Sequence, residues 1–143
     1  MNREYPAHPI IGVGIVVWQG DRVLLVQRNR PPRQGQWSLP GGAQQLGETV
    51  ADAARREILE ETGLTVDLGE VIATVDLIER DPDGRVRYHY TLIDFTAEAH
   101  GASLRPGDDA ADARWFALDQ IEALGLWSET VRIIELARAR RCR

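Results

Sequence analysis

The chain has 143 residues, 43% of them apolar and 27% charged, the balance of one soluble domain with a core of its own. Its formal charge of −5 runs against binding of nucleic acid polymers, so a phosphate-bearing ligand would have to meet local positive charge or a metal. A single cysteine (Cys142), no apolar run long enough for a membrane span and no signal-like apolar stretch in MNREYPAHPI make the expected setting cytoplasmic, away from membranes.

No internal repeat, low-complexity tract or linker interrupts the sequence, and one continuous domain over residues 1–143 is expected. Ile10–Gln19 and Arg22–Arg28 are β-branched runs separated by Gly20-Asp21, a hairpin signal. NRPPRQGQ (29–36) reads as loop, because two prolines and a glycine stop regular structure. WSLP gives a short extended piece that ends in a Gly41-Gly42 turn. Thr49 is placed to cap a helix that runs to about Thr62, with Gly63 as the left-handed stop. Residues 65–80 and 85–99 read as two long strands joined by the Asp81-Pro82-Asp83-Gly84 turn. Residues 100–113 read as polar loop, RWFAL as a short strand and LDQIEAL as a short helix. Ser128 caps a final helix, ETVRIIELARARR, whose basic end suits the helix dipole. The order strands, helix, strands, helix predicts an α/β domain with a mixed sheet between helices. Neither a Rossmann nor a P-loop glycine signature occurs.

The charges of the first helix are oddly placed. Glu57, Glu60 and Glu61 gather in its last turns, at the negative pole of the macrodipole, where carboxylates are disfavoured. Spacings of three and four residues put them on one side of the helix, beside the apolar stripe Val50, Ala54, Ile58. Their mutual repulsion is relieved by a hard divalent cation such as Mg²⁺ or Mn²⁺, which prefers oxygen ligands and completes its shell with water and substrate phosphates. An acidic helix facing a Gly-Gly turn thus points to chemistry on a phosphorylated substrate.

Gly42, Glu48, Arg56-Glu57, Ile58, Glu60-Glu61, Gly63 and Leu64 resemble, without a gap, the Nudix box G-x5-E-x7-R-E-U-x-E-E-x-G-U over residues 42–64. The resemblance implies a Nudix-type α/β/α sandwich and Mg²⁺-dependent hydrolysis of a nucleoside diphosphate linked to another moiety, with Mn²⁺ as a substitute ion. It assigns Glu57, Glu60 and Glu61 to metal binding and water activation, and the Gly42 carbonyl to the metal. Arg56 and Glu48 become a pair that fixes the loop against the helix and completes the catalytic set.

Outside the box, the family analogy makes Asp109, or Asp108 beside it, a candidate acid in the loop before Arg114-Trp115. Arg28 and Arg33, with Arg30 between them, are candidates for phosphate contact, and Trp37 for stacking a base, as are Tyr88 and Tyr90. The histidines have no metal-ligand spacing. The runs GQWSLPGG, YHYTLIDF and GDDAADARWFAL resemble bacterial Nudix proteins described as ADP-ribose pyrophosphatases, which implies ADP-ribose or a related nucleoside diphosphate sugar as substrate. The proline that marks one ADP-ribose group past the box is not at its position, the nearest being Pro82. A MutT-like enzyme that sanitises oxidised nucleoside triphosphates such as 8-oxo-dGTP is the alternative, and a non-catalytic ligand-sensing Nudix module is the alternative of another class. The expected partner is a nucleotide-derived small molecule, with a homodimer left open.

Overall fold

The computed structural model describes residues 3–29, 33–100, 104–105 and 110–141. Seven strands form one mixed sheet: β1 (Ile10–Gln19), β2 (Arg22–Arg28), β3 (Trp37–Ser38), β4 (Gly41–Ala43), β5 (Val66–Arg80), β6 (Val86–Ala99) and β7 (Ala110–Ala117). Helix α1 (Val50–Thr62) follows β4; α2 (Leu118–Ile121), a 3₁₀ turn (Glu122–Leu124) and α3 (Ser128–Arg141) end the chain. Strand order is β3-β2-β1-β6-β5, with β4 paired to β1 and β7 to β2. Among the described residues only the central pair β1·β6 is parallel, from Ile10↔Tyr90 to Trp18↔Glu98.

The central strands are apolar on both faces, as burial under helices on both sides requires. On β1, Val13, Ile15 and Val17 point to a core that includes Ala53, Ala54 and Ile58 of α1. The alternate residues Val16 and Trp18 point to a second core with Ile133, Ile134 and Ala137 of α3. Strand β2 divides likewise, Leu24 and Val26 toward α1, Val23 and Leu25 toward α3. The result is the expected α/β sandwich with a mixed sheet between helices.

Helix α1 starts and stops where the sequence predicts. The Thr49 hydroxyl accepts the Asp52 N–H at 3.0 Å, and Gly63, at φ 72°, donates its N–H to the Leu59 carbonyl at 2.9 Å.

Two strands exceed the sequence reading. Gly41-Gly42 is not a free turn; with Ala43 it forms β4, in register with Gly14, Val13 and Gly12 of β1. Strand β7 begins at Ala110, four residues before RWFAL, because the backbone from Ala110 onward pairs with the end of β2. The pairing of β1 with β2 is confined to Trp18↔Val23 and Gln19↔Arg22, while β4 occupies the same edge of β1 further back. The sheet therefore splits between β2 and β4. Residues of the candidate site lie along that split.

Candidate active site

Arg56 ties the helix to the loop before it. Its guanidinium donates twice to Glu48, from Nε to Oε2 at 2.7 Å and from Nη2 to Oε1 at 3.0 Å. It also donates to Glu57 Oε1 at 2.8 Å, to Glu60 Oε2 at 3.3 Å and to the Ala43 carbonyl at 3.0 Å. Glu48 accepts the Gln45 N–H at 3.1 Å, and its hydrogen bonds to Arg56 hold its carboxyl below the usual range. The pair expected from sequence is present, and one cation also reaches β4 and two of the helix carboxylates.

Glu57 and Glu61 face β4 together. A Cβ on Gly42 would lie 2.5 Å from the Glu57 carboxyl carbon, so the carboxylate occupies the space that a side chain would take. Glu61 accepts the Gly41 N–H at 3.3 Å and is only 9% exposed. Burial, then the neighbouring Glu57 charge, raises the Glu61 carboxyl to about 8. Burial also raises Glu57, against the opposing pull of Arg56. The two carboxyls act on each other, and the interaction raises Glu61 while opposing the rise of Glu57.

The Glu60 carboxylate is about half exposed and shares the Arg56 Nη1 with Glu57, whose pKa its charge helps to raise. Among the described residues no group of three or more His, Cys, Asp or Glu side chains stands ready to hold a metal. Two carboxyls and the backbone of β4 make up the close set. Asp108, Asp109 and Arg30 fall outside the described residues.

Beside this pair open two adjoining cavities. A polar one of about 140 Å³ is lined by Glu57, Glu61, Gln27 and Asn29. An apolar one of about 150 Å³ lies between the sheet and α3, lined by Trp37, Val75, Leu77, Tyr90, Leu92 and Trp127 among others. They share Arg3, Arg28, Ser38, Leu39, Gly41 and Gly42. Arg28 thus lies where both meet. Arg33 lies on the apolar side, paired to Glu79 at 3.0 Å with its guanidinium 4.9 Å from the Trp127 ring centre. Trp37 contacts Phe116 edge to face at 5.1 Å and also lines the cavity, so it serves packing and cavity wall together. Tyr88 is buried at 6% exposure, whereas Tyr90 faces the cavity.

Sequence reasoning missed Trp127, Arg3 and Asp94 at these cavities. For Asp94 a signal exists, a lone acid inside the apolar run TLIDF.

A family model for the NUDIX domain matches residues 8–137. The chain belongs to the Nudix hydrolase family. It is 35% identical over 124 residues to an ADP-ribose pyrophosphatase of Methanocaldococcus jannaschii, a match covering 87% of this chain and 71% of the relative. It is 33% identical over 115 residues to an oxidized purine nucleoside triphosphate hydrolase of Mus musculus, covering 80% of this chain and 70% of the relative. The fold superposes on the NUDIX domain of Shewanella oneidensis NrtR, solved with ADP ribose, with a TM-score of 0.78. That match has 25% identity and covers 95% of this chain and 90% of the other. As a Nudix hydrolase the chain carries its box on β4 and α1, where the Glu57–Glu61 pair and the Arg56–Glu48 clamp lie. Among the described residues no helix is long and apolar enough to cross a membrane.

Proposed function

We propose that this Nudix hydrolase cleaves the diphosphate of a nucleoside diphosphate linked to a second moiety, with ADP-ribose or a related nucleoside diphosphate sugar as substrate and Mg²⁺ as the ion. The observation that carries the reading is the buried Glu57–Glu61 pair opening into a polar cavity that shares its rim with an apolar one. The polar cavity suits the diphosphate and the apolar one a ring of the substrate. Resemblance to the M. jannaschii pyrophosphatase and to the ADP-ribose-bound NrtR domain supports the choice of substrate.

The donor set fits a hard divalent cation. Two carboxyls held together in a buried place at the cost of a raised pKa are the arrangement that such an ion relieves, and the Gly42 carbonyl is a further oxygen donor. When bound, the ion supplies charge neutralisation at the diphosphate and acidifies water. Glu57, Glu61 and the Gly42 carbonyl would hold it, Glu60 would join by swinging from Arg56, and Asp109 would add a ligand from its loop.

In this reading Arg28 binds a phosphate oxygen at the meeting of the two cavities, Arg33 closes the rim and Trp37 walls the ring. Glu61, or Glu57 beside it, takes the proton from the attacking water. The new phosphorus–oxygen bond forms as the bridging one breaks, releasing a nucleoside monophosphate and, from ADP-ribose, ribose 5-phosphate. Arg56 touches no substrate; it holds Glu57 and the Glu48 loop in place.

A substrate screen tests this. Release of AMP from ADP-ribose with Mg²⁺ or Mn²⁺, abolished by EDTA, is expected. A higher kcat/KM for 8-oxo-dGTP would transfer the assignment to oxidised-nucleotide sanitising, the reading that the mouse relative supports. No turnover of any substrate with either ion would leave a ligand-sensing module.

Gly42→Ala probes the site without touching its charges. The added Cβ overlaps the Glu57 carboxylate, the far end of a flexible side chain, so the fold should survive while the carboxylate is displaced. Turnover is expected to fall roughly 10–100-fold, with Tm within a few degrees of wild type. Wild-type kinetics in this variant would remove Glu57 from the proposed ligand set.

A further inference from the structure

Asp94 projects from the middle of β6 opposite Gly14 of β1 and lines the apolar cavity. It is 4% exposed, no hydrogen bond to its carboxyl is found among the described residues, and its oxygens are not among the fully buried unpaired atoms, so the carboxyl opens to the cavity. The absence of a side chain on Gly14 makes room for it, since a Cβ there would collide with the carboxyl. The charged groups that face it from α3, Glu129 and Arg132, are hydrogen-bonded to each other.

A buried carboxyl left without a donor is costly, and stability alone would favour an apolar residue at this place. Burial, only partly offset by Arg132, also raises its pKa to about 6. The walls beside it are flat or aliphatic: Trp37, Trp127, Tyr90 and Leu92. An apolar cavity of this size takes one aromatic ring. A ring that stacks there leaves Asp94 to receive whatever donor its edge carries.

We propose that Asp94 is a base-recognising residue that accepts a hydrogen bond from the exocyclic amino group of a nucleobase held in the apolar cavity, adenine in the case of ADP-ribose. This rests on the reading of the paired cavities as a nucleotide site and does not depend on turnover.

Binding is measured on the metal-free protein, through tryptophan fluorescence or calorimetry, with AMP and with the purine riboside 5′-monophosphate that lacks the amino group. Wild type should bind AMP roughly ten-fold more tightly, the effect of one hydrogen bond to a carboxyl. Asp94→Leu should erase the difference, and Asp94→Asn, whose amide oxygen still accepts, should keep most of it. Equal binding of the two nucleotides by wild type overturns the proposal. So does a preference that survives in Asp94→Leu, or an equal loss for both nucleotides, which would put the ribose or nothing at Asp94. Should Asp94→Leu not fold, Asp94→Ala carries the same comparison. Absence of hydrolysis would sink the enzymatic reading while leaving this comparison intact.

Discussion

Glu61→Gln is expected to stabilise the metal-free protein at pH 8 while lowering turnover roughly 10²–10⁴-fold, the usual contribution of a positioned base. Glutamine mimics the protonated acid. Its oxygen can keep the Gly41 N–H, and its amide can donate to the neighbouring Glu57 carboxylate. What disappears is the charge that burial and Glu57 oppose.

The direction with pH follows from linkage. A carboxyl raised to about 8 in the fold, from an ordinary value near 4.5, keeps its proton longer in the native state than in the unfolded chain. It imposes no cost below the unfolded value, and stability drains away as pH rises toward 8. In EDTA, the unfolding free energy of the wild type should therefore fall between about pH 5 and 8 relative to Glu61→Gln, by on the order of a few kcal/mol at the upper end, with Tm falling in step. Asp94, also raised, slopes the same way in both proteins and cancels, so the difference between the two curves reports the Glu57–Glu61 pair. Excess Mg²⁺ should restore wild type at pH 8 by mass action and help the variant much less. Parallel melting curves across this range would show that Glu61 is not held protonated.

Helix α1 and the central strands were legible because several local signals agree. Thr49, the stripe Val50-Ala54-Ile58 and Gly63 mark one helix at its start, face and end. The β-branched runs of β1 and β2 are apolar on both faces and so read as strands whatever covers them. Strands β4 and β7 were less visible, because Gly41-Gly42-Ala43 and Ala110-Ala111 carry no alternating apolar pattern in the sequence. The three glutamates show how far a helical wheel reaches. At about 100° per residue, Glu61 sits about 40° to one side of Glu57 and Glu60 about 60° to the other, toward Arg56. The shared side is real: Arg56 bridges Glu57 and Glu60 through one nitrogen, while Glu61, one turn on from Glu57, is buried and accepts from β4. Asp94 escaped for a related reason. Nothing local tells whether an acid in a strand faces water or a cavity; that depends on the register of β6 with Gly14.

Arg56→Lys keeps the charge and is nevertheless expected to lower kcat/KM by roughly 10–100-fold, the range for residues that orient others. The guanidinium reaches four groups in four directions: Glu48 through a fork, Glu57, Glu60 and the Ala43 carbonyl. A lysine ammonium is a point donor with three hydrogens, and it lacks the planar fork that seats both Glu48 oxygens. The contacts are only partly exposed, 21% for Arg56 and 15% for Glu48, so water replaces the lost ones poorly. Loosening the clamp frees the loop before α1 and deprives Glu57 of the donor that opposes its raised pKa. The loss should thus appear in kcat more than in KM, with the acid limb of the pH–rate profile displaced upward. A double-mutant cycle separates the routes. If Arg56 acts through Glu48, adding Glu48→Gln to Arg56→Lys should cost little beyond either change alone. Fully additive losses would mean that the two residues act independently, and a lysine variant with wild-type kcat/KM would leave Arg56 as a merely structural cation.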